Sequence, residues 1–521
     1  MIIHKTKPKF TIYLLIALFF LFLANNQVQA ATYRVSTSGN DANPGTEAQP
    51  WKTIQKAADT MVAGDTVIVA AGTYDERVTK ISGSGTVGFP ITFRASGEVF
   101  MKGFTIGIAD WGNNHPVDYV TIDGFHITAV DDNLKTGYGI WYHGAYGIIE
   151  NNHVTYCPWG GITLAVYTGL IDFTSTHDCI VRNNLLERNG IVGVEVNGRN
   201  NLIENNEVWG TIQYHPLKVH ISWDDADAFR FFGSGHVFRG NYAHDIVYGA
   251  DGIYTEAHPQ YVTINGVQYP DWNMNPHIDG FQTFHDVGSW HELASNCLFE
   301  KNIVNLPDAD ITDGLAPKGF EVGGTKENGV FVDPPADNLV FKNNVVIAVR
   351  PGQFKNMSNT KIFNNTFIGS PWYPTSSAGA YLQRDVNTTI QNNIFAYQTN
   401  GEKYISWNTG DISGDTLTAG YNLVYRGGGL HPNKGTGGVN PPWPNDVWDK
   451  EPQFTTNFTN LMPLLTSPVI DAGLTIASVT DDFSGTARPQ GTGYDIGAYE
   501  YVGAAPPDTT PPAAPTGLTV N

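Results

Sequence analysis

The chain has 521 residues, of which 41% are hydrophobic, 56 are glycine, 30 are proline and only 3 are cysteine. Its 30 basic and 50 acidic side chains leave a formal charge of -20, which argues against nucleic acid and anionic membranes as partners and disfavours a bare polyanion unless bound cations intervene. A chain this long builds core enough to do without a disulfide framework, so Cys157, Cys179 and Cys297 are expected as buried thiols.

Residues 1–30 read as an export signal. Lys5, Lys7 and Lys9 precede an apolar run over 12–23, and Val28-Gln29-Ala30 is a small-x-small cleavage site before Ala31. The apolar run falls short of the roughly 20 residues that a membrane span needs. Removing the three lysines takes the charge from -20 to -23. The expected mature protein is extracellular, with no membrane partner. Residues 31–75 are the expected N-terminal cap and first coil. Ile54, Ala57, Ala58 and Met61 keep helical spacing, Gly64 stops the helix, and 66–70 reads as a strand closed by Gly72-Thr73-Tyr74.

Residues 76–425 carry an internal repeat, a short β-branched strand ending in Asn-Asn. Copies are Ile148-Ile149-Glu150-Asn151-Asn152, Ile180-Val181-Arg182-Asn183-Asn184 and Leu202-Ile203-Glu204-Asn205-Asn206. Others lie at 237–241, 298–302, 340–344, 362–365 and 390–393, with a weaker one at 120–124. The tightest spacings, Asn184 to Asn206 and Asn344 to Asn365, are 22 and 21 residues. That suits one solenoid coil of three strands. Asn tolerates the left-handed backbone of a sharp corner, and stacked Asn side chains satisfy buried corner amides. The leucine pattern of leucine-rich repeats is missing, so the fold expected is an all-β, right-handed parallel β-helix with an N-terminal helical cap.

The third strand of each coil repeats a small residue, an apolar one, an outward one and another apolar one. Copies are Gly161-Ile162-Thr163-Leu164, Gly193-Val194-Glu195-Val196, Ala228-Phe229-Arg230-Phe231, Gly280-Phe281-Gln282-Thr283 and Gly319-Phe320-Glu321-Val322. Alternation along a strand turns Thr163, Glu195, Arg230, Gln282 and Glu321 into one outward column. Asp224, Asp225 and Asp227, then His277 and Asp279, then Lys318 precede the last three copies, so Asp227, Asp279 and Lys318 are expected at about one spot. The longest insertions fall on these coils, and 252–275 reads as a cleft wall. Charged outward positions are also what a merely solvated strand shows.

Other motifs carry less. Gly83-Ser84-Gly85-Thr86-Val87-Gly88 matches G-x-G-x-x-G but lacks a following helix, and reads as a turn. His244, His258, His277, His285 and His291 crowd together without a metal-ligand spacing; a proton-transfer role is open to His277. Trp223, Tyr254, Trp272 and Trp290 suit sugar stacking or solenoid corners equally. Residues 426–503, with Ser467-Pro468-Val469-Ile470-Asp471-Ala472-Gly473 and Asp495-Ile496-Gly497-Ala498-Tyr499-Glu500-Tyr501, resemble the tail closing many exported bacterial β-helices. Residues 504–521 read as a stiff linker resembling the start of a fibronectin type III module.

Asp225-Ala226-Asp227-Ala228-Phe229, Asp279-Gly280-Phe281 and Lys318-Gly319-Phe320-Glu321-Val322-Gly323-Gly324 resemble the central motifs of family 9 pectate lyases. The segment from Tyr33-Arg34-Val35-Ser36 to Gly72-Thr73-Tyr74 resembles their cap. The resemblance implies a calcium ion held by aspartates, here Asp225, Asp227 and Asp279, and a lysine that abstracts the sugar C5 proton. Ile278 and Gln282 stand in place of two further aspartates, and Glu321 stands where the lysine would be; Lys318 is three residues away. The expected function is lyase-like β-elimination on an acidic polysaccharide in a flank groove, by a monomer, with calcium the sole cofactor implied. Asp227, Asp279, Glu321, Lys318, Glu195, Arg230 and His277 are the candidate catalytic residues. A glycoside hydrolase using paired carboxylates among Glu195, Asp227, Asp279 and Glu321 is the first alternative. A non-catalytic glycan-binding or adhesin-type β-helix is the second.

Overall fold

The computed structural model describes residues 30–110, 113–129, 137–164, 175–211, 226–246, 261–264, 267–270, 278–288, 291–306, 317–328, 330–369, 379–397, 405–408, 416–425, 443–456 and 459–503. The export signal, the C-terminal linker, Asp224, Asp225, His258, His277, Trp223, Tyr254, Trp272 and Trp290 lie outside the described residues. No described helix is long and apolar enough to cross a membrane.

Three ladders of short parallel strands run the length of the repeat. The first stacks Val120–Asp123, Ile148–Glu150, Ile180–Arg182, Leu202–Glu204, Val237–Arg239, Leu298–Glu300, Val340–Lys342, Lys361–Phe363 and Thr388–Gln391. The second stacks His153–Thr155, Leu185–Glu187, Glu207–Trp209, Tyr242–His244, Ile303–Leu306, Val345–Ala348, Thr366–Gly369 and Ile394–Ala396. The third stacks Tyr138–Tyr142, Gly160–Leu164, Val192–Val196, Ala226–Phe231, Ile278–Asp286, Lys318–Glu327, Arg350–Lys355 and Ala380–Gln383. Each turn of chain supplies one strand to each ladder, so every coil hydrogen-bonds the next.

The corner between the first and second ladders explains the Asn pairs. The first Asn takes the left-handed conformation, with φ of 58° at Asn151, 54° at Asn183 and 54° at Asn205. The second Asn points inward and is buried. Asn184 Nδ2 donates to Ile149 O at 2.9 Å and to Asn206 Oδ1 at 2.9 Å. Asn206 repeats the pattern on Val181 O and Asn241 Oδ1, and the ladder continues through Asn302, Asn344, Asn365, Asn393 and Asn422. It ends on Asp446, which accepts from Asn422 N at 2.9 Å.

Inside the coils, equivalent aromatic residues stack at about the spacing of the rungs. Phe229 lies 4.8 Å from Phe281, Phe281 lies 5.1 Å from Phe320, and Phe299 lies 4.8 Å from Phe341. The three cysteines are free and buried, and burial pushes each thiol up to about 12.

At the N-terminus the helix is Ile54–Ala58, with Ile54, Ala57 and Ala58 buried against the core. Thr53 accepts from Lys56 N, and Glu76 accepts from Ile54 N and Gln55 N, so the first turn's amides are satisfied. The strand after it is longer than expected: Thr66–Val78 runs through Gly72-Thr73-Tyr74 with register shifts after Ala70 and Tyr74. Within Gly83 to Gly88 the turn is at Val87-Gly88, closed by the Thr86–Phe89 bridge.

The C-terminal segment differs from an end plug. Trp443 and Trp448 pack against the core beside the last described coils. Phe454, Leu461, Met462, Val469, Ile496 and Ala498 instead bury a lateral face, the outward column of the second ladder formed by Val345, Ile347, Ile368, Ile394 and Leu423. Lys301, Asn343, Asn364 and Asn392 fasten that segment at the corners, through Asp481, Asp495 O and Leu474. Arg488 and Glu500, both fully buried, pair at 2.7 Å inside it.

Candidate functional site

The third ladder carries the site because a small residue opens each strand. Gly193, Ala228, Gly280 and Gly319 face the interior where no larger side chain fits: a Cβ on Gly193 would lie 2.3 Å from Val208 Cγ1, and one on Gly319 would lie 2.1 Å from Val346 Cγ1. The apolar residue that follows is also fully buried in the core. Two inward positions in a row put the residues on either side, three apart, on the same outer face.

The register matches the expected columns. Thr163, Glu195, Arg230, Gln282 and Glu321 are successive partners, and Asp227, Asp279 and Lys318 form the second column. Adjacent rungs lie about 4.8 Å apart. One expectation fails: these outward positions are not in solvent. Asp227 and Asp279 are 0% exposed, Lys318 and Gln282 3%, and Glu195 7%.

Burial forces these polar groups into pairs. Arg230 Nη2 and Nε reach Asp227 Oδ2 at 2.6 and 2.8 Å. Gln282 Nε2 donates to Asp279 Oδ2 at 3.0 Å. Lys318 Nζ lies 3.4 Å from Asp279 Oδ1 and 3.2 Å from Glu321 Oε2. Glu321 Oε1 accepts from Lys355 Nζ and Gln353 Nε2, both at 3.1 Å. Asp279, Lys318, Glu321 and Lys355 thus form a chain of alternating charge across three rungs. Arg230 pairs with Asp227 rather than with Glu195, its neighbour in the column, although the Arg230 charge still acts on Glu195.

Protonation follows from these surroundings. Burial raises the Glu195 carboxyl, against the pull of Arg230 and Asn197. Burial also presses on Glu321, but Lys318 and Lys355 outweigh it and hold that carboxyl below its ordinary value. Burial lowers Lys355, and Glu321 restores only part of the loss. His291 stacks on Phe232 at 3.8 Å, and burial, Arg230 and His285 push it down to about 3, so it is neutral. His285 is lowered by burial and contacts Thr325. His244 sits on the second ladder between Glu207 and Asp245, away from this flank.

The described residues do not fit a calcium ion. Calcium wants 6–8 oxygen ligands. Asp227 Oδ2 is gripped by a guanidinium, and the two oxygens of Asp279 face an amide N–H and an ammonium. No group of three metal-binding side chains occurs among the described residues; Asp225 lies outside them.

Lys355 and Gln353 escaped the sequence reading. Their strand continues the columns, with Arg350 beside Lys318 and Gln353 beside Glu321. The pattern is disguised because Gly352 stands where the preceding coil has Phe320. The Phe354 ring fills that space: a Cβ on Gly352 would lie 2.6 Å from Phe354 Cε2. Reading past the missing aromatic would have found both residues. Of the expected wall over 252–275, the described part is an antiparallel hairpin, Tyr261–Ile264 with Val267–Pro270.

A family described as a protein of unknown function, DUF1565, matches residues 37–93. The uncharacterized protein YwoF of Bacillus subtilis (strain 168) is 31% identical over 141 residues, which span 25% of this chain and 30% of that protein. This chain therefore covers under a third of that curated relative. The structure of XylC in complex with xylose overlays with a TM-score of 0.51 at 11% identity, covering 90% of this chain and 98% of that one. Pectate lyase Pel9A overlays at 0.48 with 16% identity, covering 91% and 97%. At such identity the XylC likeness bears on the fold alone. With the three parallel ladders it shows that the chain folds as a right-handed parallel β-helix.

Proposed function

We propose that this chain is an exported enzyme that cleaves an acidic polysaccharide by β-elimination on the third-ladder flank, with Lys355 as the base. The observation that carries the reading is the place of Lys355, a partly exposed amine held 3.1 Å from Glu321 on this flank. Burial lowers its affinity for a proton, the direction that a lysine base needs. The neutral amine would take the sugar C5 proton. The C5–H electrons would form the C4–C5 double bond as the C4–O bond breaks, and the leaving oxygen would take a proton from water.

Charge supports an anionic substrate. Lys326, Arg350 and Lys355 gather on two consecutive strands of a chain whose net charge is -20. Asp227, Asp279 and Lys318, being almost fully buried, brace the site; Glu321, Lys355 and Arg230 keep partly exposed side chains. XylC, with the same fold, was solved with xylose, and a sugar is the ligand class proposed here.

Glu195 favours a second reading. A buried carboxyl with a raised pKa is what a glycosidase acid needs. Glu195 and Glu321 are three rungs apart, about 14 Å, beyond the roughly 5–9.5 Å of a glycosidase pair. Asp227, on the rung next to Glu195, is the nearer partner. A panel of uronate-containing and neutral polysaccharides separates the readings. Cleavage with a new double-bond absorbance supports elimination. Reducing ends without it support hydrolysis, and retention without cleavage supports a binder.

A further inference from the structure

We propose that Lys318 is a positioning residue that decides when Lys355 is free to accept a proton, because the two lysines share one carboxylate, Glu321. The inference rests on the reading of Lys355 as the base. Lys318 Nζ approaches Glu321 Oε2 at 3.2 Å while Lys355 Nζ approaches Oε1 at 3.1 Å. Lys318 also faces Asp279 at 3.4 Å. A carboxylate that serves one cation completely holds it charged; one divided between two holds each less firmly. Lys318 adds its own positive charge on the neighbouring rung, which further disfavours a second ammonium.

Among the described residues, the charged groups acting on Lys355 are Glu321, Lys318 and Lys326, and Gln353 and Gln383 are neutral neighbours. The arrangement solves a problem of buried lysine bases. A lone carboxylate partner would orient the amine but keep it protonated. Here Glu321 orients Lys355, and Lys318 offsets the electrostatic cost. Asp279 in turn holds Lys318 in place on the far side from Lys355. Lys318 is 3% exposed, so its effect on the reaction passes through Glu321 rather than through substrate.

The test reads Lys355 directly. The mature protein is labelled with an amine-acylating reagent across pH, and the Lys355 peptide is quantified by mass spectrometry. The pH profile of kcat/KM on a cleaved polysaccharide is measured in parallel. Lys318→Met leaves Lys355 the only ammonium on Glu321 among the described residues, so the labelling midpoint and the acid limb of the profile move to higher pH. Activity on that limb falls about tenfold for each unit of movement. Glu321→Gln moves both to lower pH, and Lys318→Arg, which keeps the charge, restores the parent profile. Asp279→Asn retains Lys318 but releases it toward Glu321, and lowers the midpoint; it serves if Lys318→Met does not fold. Movement of Lys318→Met and Glu321→Gln in the same direction, or no movement of the midpoint in Glu321→Gln and Asp279→Asn, overturns the proposal. Midpoints that move as expected without the activity profile following leave the sharing intact and refute Lys355 as the base.

Discussion

Asn206→Ala is the sharpest test of what holds the coils together. Asn206 is 1% exposed in the middle of the corner ladder. Its Nδ2 donates to Val181 O at 2.9 Å and Asn241 Oδ1 at 3.1 Å, and its Oδ1 accepts from Asn184 N at 3.1 Å and Asn184 Nδ2 at 2.9 Å. Truncation removes all of these and strands Val181 O and Asn184 N in the interior, while Asn184 Nδ2 keeps Ile149 O. With about 1–3 kcal/mol for each buried group left unsatisfied, the two groups come to about 2–6 kcal/mol. Its neighbour Asn205 is exposed with φ of 54°, so Asn205→Ala costs only the left-handed backbone preference, about 1–2 kcal/mol. Urea unfolding by far-ultraviolet circular dichroism, extrapolated linearly, gives the difference between the two variants. Solenoids unfold in parts, so amide exchange of Ile180–Arg182 and Val237–Arg239 is followed in the same samples. A difference between the variants below about 1 kcal/mol, or unchanged exchange in both strands, refutes the ladder as the main corner lock.

Gly319→Ala overpacks the coil against Val346 and Pro351 O, costs about 1–3 kcal/mol, and parts Lys318 from Glu321; a crystal structure with that pair intact contradicts the role given to the small residue. Calcium at millimolar concentration leaves the melting temperature of the mature protein unchanged, and a rise of several degrees contradicts the cation-filled picture of Asp227 and Asp279. Burial raises Asp495 to about 7, above the ordinary carboxylate, so the folded chain holds that proton more tightly than the unfolded chain. Its contribution is complete below about pH 4 and is lost as pH rises to about 7; a carboxyl ¹³C titration of Asp495 with a midpoint near 4 contradicts it.

Much of this was legible in sequence. The Asn pairs and their 21- and 22-residue spacings identify the solenoid, because only a corner that recurs once per coil demands the same residue each time. The outward columns followed from strand alternation plus the small residue at each strand start. What stayed hidden was the consequence of burial. Sequence gives Asp227 and Arg230 as residues three apart, which in a plain strand face opposite ways; two consecutive inward positions make them partners. Lys355 was obscured because Phe354 supplies its ring from two positions further along, in place of the expected aromatic. The C-terminal segment was expected to close the repeat, and its lateral seat depends on the outward apolar residues Val345, Ile347, Ile368 and Ile394, which look like core in a linear reading.

On the proposed function this flank eliminates rather than hydrolyses, with Lys355 as the base. The direct measurement is ultraviolet absorbance of the products from uronate polysaccharides, made with the parent protein and with Lys355→Gln. An unsaturated-uronate band is expected from the parent and at least a hundredfold slower appearance from Lys355→Gln, the scale on which a missing general base is felt. Product with new reducing ends but no such band, or an unimpaired Lys355→Gln, contradicts it.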